Sequence, residues 1–369
     1  MRIGIDFHVL QHGWKGSGIR RYIEGLYRAV LALPSRHEWV FFVEAPTNVP
    51  TDWPGCPEWQ GFGTTSRLAR LAWKTSSRLK ETKIDCYHMQ FVAPLRKTCM
   101  EALSIHDLLF ETHPQYFPRA TQYTLAPLIR RGARRADLIL TISDYSRNQL
   151  IERYGVNPNR ICLTPCAIDR TMFNPGNQQV SKDLVKQKYD LDNFILSVGR
   201  IEPRKNHASL VHAYAHLKAL GKELPRLVLV GGQDFGYAPL VALIQKNHLE
   251  KDVVFLHGIA DDMLPHMYRS ALVTAYPSFA EGFGIPPLEA MACGSPVITS
   301  GTTALPEVVG DSGWLIDPDR WPTLAQALLD AIQDPTRRQS LAKKGLERSA
   351  LFSWENSAKT LIAAYDRLG

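Results

Sequence analysis

The chain has 369 residues, of which 45% are hydrophobic and 21% charged, and this composition is that of a globular protein with room for two domains. No stretch approaches the roughly 18 to 20 consecutive apolar residues of a membrane span, and the N-terminus carries no signal-peptide pattern, so the expected location is the cytoplasm. The six cysteines form no CxxC pair and have no matching His or Cys pair nearby, which argues against a zinc site or a disulfide framework.

The net charge of +7 belongs to the first half of the chain. Residues 1–173 carry 23 Lys and Arg against 15 Asp and Glu, whereas the remaining residues carry 20 against 21. Two basic runs dominate, at 67–83 and at 130–135, and the first repeats its cations at helical spacing as Arg67, Arg70, Lys74 and Arg78. This spacing predicts either a solvated surface helix or a basic face for peripheral contact with an anionic membrane. No nucleic-acid motif accompanies the charge, so no nucleic-acid partner is expected.

The first predicted element is a strand at residues 2–10, RIGIDFHVL. A glycine-bearing loop follows, and helical periodicity then runs from Ile23 to Val30. The loop holds Gly16 and Gly18 in the pattern GxGxxR, so the dinucleotide fingerprint GxGxxG is incomplete. Two interpretations stay open: a loop whose backbone approaches an anion, and a plain structural turn.

A second informative strand is predicted within residues 101–114, where ALSIHDLLF is apolar except at Ser104, His106 and Asp107. Ligands of open α/β sheets bind at the carboxyl ends of the strands, so His106 and Asp107 are candidate site residues. A purely structural histidine is the competing interpretation. The other predicted elements of this half are a helix, a strand, a helix capped by Ser143 and a strand, at 121–136, 137–143, 144–155 and 161–169.

An Asn-, Gly- and Gln-rich segment at 174–184 has no hydrophobic periodicity and predicts an interdomain linker. Strands alternate with helices beyond it, from FILSVGRI at 194–201 to LVTAYP at 272–277. Such alternation predicts parallel sheets with helices on both faces. The predicted fold is therefore α/β, with two doubly wound Rossmann-like domains facing a cleft.

The loop after the first strand of the second half is suited to an anion. In VGRIEPRKN at 198–206, Gly199 ends the strand, and Arg204 and Lys205 lie just beyond it. A guanidinium fork and an ammonium at this position can both meet a diphosphate. A solvated basic pair is the alternative interpretation.

Residues 276–298 predict a strand, a glycine turn, a helix that begins at Pro286 or Pro287, and a further strand. Backbone N–H groups at such a helix start form an anion site. Glu281 and Glu289 bracket this site eight residues apart, and carboxylates accept paired hydrogen bonds from sugar hydroxyls. The stretch favours a nucleotide-diphosphate sugar as ligand over an ordinary crossover with two solvated glutamates.

The motifs VGRIEPRKN and PSFAEGFGIPPLEAMACGSPVI resemble those of the retaining glycosyltransferases of family four, which have the two-domain GT-B fold. Glu281 and Glu289 match the Glu-x7-Glu motif of the family, and Arg204 and Lys205 match its basic pair. The resemblance implies that the last helix returns to the first domain. The implied domains are an acceptor-binding domain of residues 1–173 completed by 353–369, and a donor-binding domain of residues 174–352.

For the second domain the resemblance implies a set of donor contacts. Arg204 and Lys205 would neutralise the diphosphate and the charge that grows on it as the glycosidic bond breaks, so no metal or other cofactor is required. Glu281 would hold hydroxyls of the transferred sugar, and Glu289 would accept hydrogen bonds from the ribose. Backbone N–H groups of the turn would assist Glu281, namely those of Gly282, Phe283 and Gly284.

For the remaining site residues the resemblance implies positions around the same donor. Gly199 would lie beside the donor, and Gly16 and Gly18 would bring backbone against it from the first domain. His106 would lie on the reacting face of the sugar, and Asp107 near the acceptor.

The expected reaction is a retaining transfer of a hexose to a glycan or lipid-linked glycan acceptor. GDP-mannose is the first expected donor, because the HDL segment and ADLILTISDYSR are most similar to mannosyltransferase-like members that build bacterial surface polysaccharides such as O-antigen. A UDP-sugar or a deoxy-sugar nucleotide is the alternative donor. Three other classes stay open: a nucleotide-sugar epimerase of similar fold, a nicotinamide-dependent oxidoreductase, and a non-catalytic sugar-nucleotide binding protein.

Overall fold

The computed structural model describes residues 1–8, 18–46, 49–50 and 52–369, and it divides into two compact units. Unit 1 comprises Met1–Ala167 together with Ser353–Gly369, and unit 2 comprises Ile168–Phe352. The first boundary therefore lies a few residues before the one expected at 173. The assignment of acceptor and donor to the two units stays a prediction.

The sheet of unit 1 is parallel throughout. Its strands within the described residues are β1 (Arg2–Asp6), β2 (Glu38–Val43), β3 (Glu58–Gly61), β4 (Cys86–Gln90), β5 (Met100–Ser104), β6 (Leu138–Thr141) and β7 (Ile161–Leu163). They are ordered β3-β2-β1-β4-β5-β6-β7. Every residue of β4 and of β6 is buried, as is typical of central strands in a sheet that is covered on both faces.

The helices of unit 1, in the part of the chain that the structure describes, are α1 (Gly18–Leu31), α2 (Arg67–Ala69), α3 (Thr75–Glu81), α4 (Leu109–Thr112), α5 (Ala126–Arg135), α6 (Asp144–Tyr154) and α15 (Trp354–Asp366). Short π-helical turns at Arg70–Lys74 and Thr121–Leu125 lead into α3 and α5. The predicted cap of α6 is confirmed, because the Ser143 hydroxyl accepts a hydrogen bond from the Ser146 N–H.

Helix α15 packs on α1 although more than 300 residues separate them in sequence. Gly25 makes this approach possible, since a Cβ atom there would lie 2.3 Å from the Trp354 ring. Leu361 and Tyr365 of α15 are fully buried, and the Tyr365 hydroxyl lies 3.2 Å from that of Tyr27. The last helix therefore completes the core of unit 1.

Two of the four cations at helical spacing in 67–83 are paired with carboxylates, and the membrane contact expected of this segment stays a prediction. The segment is helical, but Arg70 is buried and pairs with Glu44 at 2.7 Å. Arg78 likewise pairs with Glu81 at 2.6 Å on its own helix. Helical spacing places the cations on one side but does not show that carboxylates from neighbouring segments neutralise them.

Unit 2 contains a second parallel sheet. Its strands are β8 (Ile195–Val198), β9 (Leu227–Val230), β10 (Val253–Leu256), β11 (Val273–Tyr276), β12 (Val297–Ser300) and β13 (Gly313–Ile316). They are ordered β10-β9-β8-β11-β12-β13. Its helices are α7 (Gln178–Tyr189), α8 (His207–Ala219), α9 (Tyr237–Lys246), α10 (Leu264–Ser270), α11 (Ile285–Ala292), α12 (Leu305–Val309), α13 (Trp321–Gln333) and α14 (Pro335–Ser349).

The interdomain linker predicted at 174–184 is wrong, because helix α7 begins inside it. The Asn177 side chain caps the helix by accepting a hydrogen bond from the Val180 N–H. The helix packs on α10 and buries only Ser181 and Val185, which explains the weak periodicity of its sequence. The segment before it is held by the Arg269 guanidinium, which donates to the Asn174 carbonyl at 2.7 Å.

None of the helices among the described residues is both long enough and apolar enough to cross a bilayer. The six cysteines, all within the described residues, are unpaired thiols.

Candidate active site

The strand order of unit 2 reverses between β8 and β11, which lie side by side near the middle of the sheet. Connections from these two strands leave toward opposite faces of such a sheet, so a crevice opens at their carboxyl ends. The loop after β8 carries Arg204 and Lys205, and the loop after β11 carries Glu281. The topology thus brings the adjacent residues Arg204 and Lys205 to Glu281, which lies more than 70 residues further along the sequence.

These three side chains form one ion cluster. The Lys205 Nζ donates to Glu281 Oε1 at 2.6 Å, and Arg204 Nη1 lies 2.8 Å from Glu281 Oε2. Arg204 Nη1 also donates to the Ala280 carbonyl at 2.7 Å. Each oxygen of the Glu281 carboxylate is therefore paired with a different cation, and all three side chains are largely buried.

The contacts within the cluster shift the pKa values of its members. Burial alone would raise the pKa of the Glu281 carboxyl, but the charges of Lys205 and Arg204 outweigh burial and lower this pKa to about 2. Burial lowers the pKa of the Lys205 ammonium, whereas the carboxylates around Arg204 more than offset burial and raise the pKa of its guanidinium. With this pKa Glu281 is an anion at neutral pH, and its carboxylate faces the side chains of Arg204 and Lys205.

Two further residues complete the cluster, and neither was predicted from the sequence. The Tyr276 hydroxyl donates to Glu281 Oε1 at 3.0 Å and accepts from Lys205 Nζ at 2.5 Å. Glu202 Oε1 accepts from Arg204 Nη2 at 2.6 Å. The sequence offered one signal for Tyr276. This tyrosine ends a buried strand, and a buried tyrosine hydroxyl needs a polar partner.

Gly199 lies directly beside Lys205, as a Cβ atom on it would stand 3.7 Å from the lysine side chain. The φ angle of Gly199 is +153°, a value that side chains rarely allow. Its carbonyl oxygen would lie 1.9 Å from a Cβ atom on Gly231, the residue after β9. Because Gly199 and Gly231 lack side chains, the two backbone segments that contain them can pass close to each other at the base of the crevice.

The glycine turn leads into α11 as expected. Helix α11 begins at Ile285 with prolines in its first turn, and Gly294 follows its end with a φ of +77°. Gly284 has a φ of +120°, and a Cβ atom there would lie 2.7 Å from Leu305. The Phe283 side chain is buried against Phe352, so only its backbone is placed to serve a ligand. Gly282 is buried in the same turn.

Glu289 lies on α11 and is 2% exposed. Its Oε2 accepts a hydrogen bond from the Tyr268 hydroxyl of α10 at 3.0 Å. Tyr268 holds this carboxylate in place and was not predicted from the sequence. The expected ribose contact of Glu289 remains a prediction.

The candidate residues of unit 1 lie just past the carboxyl end of β5. His106 is buried, stacks on Phe91 at 5.3 Å, and its Nε2 lies 3.1 Å from Gln90 Oε1. Asp107 Oδ1 accepts a hydrogen bond from the Leu109 N–H at 3.0 Å, at the start of α4. Gly18 is the first residue of α1, and Gly16 lies outside the described residues.

A neutral histidine pair in unit 1 makes stability depend on pH. Burial lowers the pKa of His106 to about 4 and that of His88, which is linked to Ser104 and Tyr27, to about 3. Between the ordinary value of about 6.5 and these values, the unfolded chain binds protons that the folded chain does not. We therefore expect the free energy of unfolding to fall as the pH is lowered from 6.5 to 4, by about 3 kcal/mol for His106 alone.

Urea unfolding between pH 4 and 7.5 measures this effect. The His106→Gln variant is the control, because it lacks one of the titrating histidines and should show a shallower pH dependence. An equally steep fall in the variant would contradict the assignment.

Within the described ranges, no group of three or more His, Cys, Asp or Glu side chains is placed to hold a metal ion.

Two family models match the chain and together span most of it. The model described as Glycosyl transferases group 1 matches residues 181–348, and the model described as Glycosyltransferase Family 4 matches residues 16–171.

Curated relatives and solved structures agree with these matches. The O-antigen chain mannosyltransferase B of Escherichia coli is 34% identical over 304 residues, which cover 81% of this chain and 77% of that protein. The serotype-specific mannosyltransferase WbdA of Escherichia coli is 32% identical over 237 residues, but these cover 63% of this chain and only 29% of WbdA. The sucrose-phosphate synthase of Thermosynechococcus elongatus superposes with a TM-score of 0.80 at 23% identity, over 100% of this chain and 99% of that one, which shows the fold alone.

Proposed function

The chain belongs to glycosyltransferase family 4 and has the GT-B fold, and on this premise we propose that it transfers mannose from GDP-mannose to a glycan or lipid-linked glycan, with retention of the anomeric configuration. The observation that carries the proposal is the cluster of Lys205, Arg204 and Glu281 at the switch point of unit 2. The mannose donor is supported by the names of the E. coli relatives, which are mannosyltransferases. A UDP-sugar or a deoxy-sugar nucleotide is the second choice of donor.

Arg204 and Lys205 are proposed to take the diphosphate of the donor. Both cations are already held at the carboxyl ends of adjacent strands, so little reorganisation is needed when the phosphate oxygens arrive. As the bond from the anomeric carbon to the diphosphate oxygen breaks, the negative charge that develops on the leaving group falls between these two cations. Electrostatic stabilisation of this kind commonly supplies the largest part of a rate enhancement.

Glu281 is proposed to orient the sugar and not to attack it. Its carboxylate is paired with two cations, and its pKa of about 2 makes it a weak base at neutral pH. The acceptor hydroxyl is therefore proposed to attack the anomeric carbon on the face that the diphosphate leaves. Its proton passes to the departing diphosphate oxygen, so the bonds and charges balance without a glycosyl-enzyme intermediate.

The remaining site residues are proposed to lie around the same donor and its acceptor. Glu289, held by Tyr268, is proposed to accept from the ribose, and Gly199 to leave room for the diphosphate beside Lys205. In unit 1, His106 is proposed to lie on the reacting face of the sugar and Asp107 near the acceptor.

A peripheral contact with an anionic membrane is proposed as a further partner of unit 1. Leu68 and Trp73 on the helical segment 67–81 are 79% and 59% exposed, and Arg67 is an exposed cation beside them. Apolar side chains flanked by basic residues suit the interface of a bilayer. Co-sedimentation with anionic vesicles at low ionic strength tests this contact.

Thermal unfolding in the presence of GDP-, UDP-, dTDP- and ADP-sugars tests the donor. A donor at 100 times its dissociation constant stabilises the folded state by about 2.7 kcal/mol through mass action. We expect GDP-mannose to raise the melting temperature most, and product analysis to show an α-linked mannoside.

Two controls sharpen this experiment. EDTA should leave the transfer rate unchanged, and a strict requirement for Mg²⁺ or Mn²⁺ would contradict the role given to Arg204 and Lys205. Incubation with the donor alone should give no epimer, since an epimerised sugar would favour the epimerase alternative. Stabilisation by another nucleotide sugar alone would overturn the choice of GDP-mannose.

A further inference from the structure

The basic run RRGARR, which the proposed reaction does not use, lines a cavity of about 770 Å³ in unit 1. The cavity lies between α4, α5 and α6. Its cationic wall consists of the guanidinium groups of Arg130, Arg131, Arg134, Arg135 and Arg153. A volume of this size is typical of small-molecule sites.

Two of the five arginines are paired with carboxylates. Arg135 forms a two-point contact with buried Glu101, at 2.6 and 2.8 Å. Arg130 lies 3.4 Å from Glu111 and over the ring of Tyr154, whose hydroxyl donates to Glu111 at 2.6 Å. These contacts hold the wall in place and leave the other three charges uncompensated.

The other three arginines have neutral partners only. Arg131 donates to the Leu95 carbonyl, Arg134 to the Tyr154 carbonyl, and Arg153 to the Gln149 side chain. Throughout the described part of the chain, no carboxylate lies within ion-pair distance of these three groups. The cavity therefore carries an excess of three positive charges, each on a guanidinium with further N–H groups to donate.

The rest of the cavity lining is largely apolar. It includes Phe110, Pro114, Ala126 and Pro127. A ligand that complements both the cationic and the apolar lining has an anionic head and an apolar chain. The cations are all arginines, and the planar guanidinium fork matches phosphate oxygens better than a lysine ammonium does.

We propose that this cavity, which we call the arginine groove, binds a phosphate or diphosphate group carried on an apolar chain. The inference rests on the proposed function in one respect, because a lipid-linked acceptor would present this chemistry next to the glycan. Membrane phospholipid headgroups share the chemistry and are the second source. In either case Arg131, Arg134 and Arg153 bind the phosphate oxygens, and Phe110 and Pro127 contact the chain.

Vesicle flotation with the full chain tests the groove. The double variant Arg131→Gln/Arg153→Gln removes two guanidinium groups whose partners, among the described residues, are a carbonyl and a half-buried glutamine. The matched control is Lys80→Gln/Arg367→Gln, which removes the same charge from exposed positions of unit 1 outside the groove. Three vesicle types are compared: neutral lipid, neutral lipid with polyprenyl diphosphate, and neutral lipid with phosphatidylglycerol at equal surface charge.

We expect the wild-type chain and the control to bind polyprenyl diphosphate vesicles roughly 10- to 100-fold more tightly than the groove variant does. Inorganic diphosphate should compete with this binding. Groove-dependent binding of polyprenyl diphosphate alone identifies the lipid carrier as the source, and equal binding of phosphatidylglycerol identifies bulk headgroups. Equal affinity of the groove variant and the control for all three vesicle types would overturn the proposal.

The same variants distinguish a failure of the groove proposal from a failure of the proposed transfer reaction. GDP-mannose should stabilise the groove variant and the wild type equally, because no groove residue belongs to unit 2. If no nucleotide sugar stabilises any of the proteins while groove-dependent vesicle binding persists, the proposed transfer fails and the groove stands.

Discussion

Replacement of Lys205 by methionine should lower the rate of sugar transfer by roughly 10²- to 10³-fold, the effect typical of removing one donor from a charge-stabilising site. The methionine side chain is close in length to the lysine stem but carries no charge. Glu281 keeps its contact with Arg204, so the loop after β11 should stay in place. The loss should appear in the chemical step, measured under single-turnover conditions, because the charge on the leaving group is greatest in the transition state.

Arg200→Met is the matched control for this variant. Arg200 lies in the same loop after β8, but its guanidinium is 67% exposed and pairs with Glu202 and Asp234. It should retain transfer within a few-fold. Equal losses in both variants would show that the loop matters only as a whole, and a wild-type rate in Lys205→Met would remove Lys205 from the mechanism.

Replacement of Gly231 by alanine should destabilise unit 2 by about 3 kcal/mol and also impair transfer. The new Cβ atom would stand 1.9 Å from the Gly199 carbonyl oxygen, and backbone cannot turn away as a flexible side chain can. Relief of the clash must move Gly199, which lies beside Lys205. Urea unfolding and the transfer rate should therefore both change.

The adjacent glycine supplies the control. A Cβ atom on Gly232 would meet nothing within 4 Å, so Gly232→Ala should leave both stability and transfer close to wild type. If the two alanine variants behave alike, the close approach of Gly199 and Gly231 is not what constrains this turn.

The core of the candidate site could be predicted because its signals are local. Arg204 and Lys205 lie in the loop after β8, and Glu281 lies in the loop after β11. The rule that ligands bind at carboxyl ends of parallel strands therefore made them candidates, with solvated side chains as the alternative. The rule could not predict that these side chains pair with one another. The lysine–glutamate and arginine–glutamate contacts depend on which strands are neighbours, and the adjacency of β8 and β11 is a property of the assembled sheet.

The failures have a common physical origin. Tyr276 and Tyr268 look like ordinary core residues in the sequence, and their roles come from hydroxyl groups that meet Glu281 and Glu289 only after folding. The same limit applies to the basic run at 67–83, because its sequence does not show that Arg70 pairs with Glu44 of another segment. Local patterns fix which elements form, whereas partners at long sequence separation decide which charges remain available.

The return of α15 to unit 1 determines when, during synthesis on the ribosome, unit 1 can complete its fold. Its residues follow the whole of unit 2 in the sequence, so they are translated only after every strand of unit 2 has been synthesised. Until then the face of α1 around Gly25, which Trp354 later covers, has no partner. Domains generally fold in the order in which they are translated, whereas here the core of unit 1 cannot be completed until all of unit 2 has been synthesised.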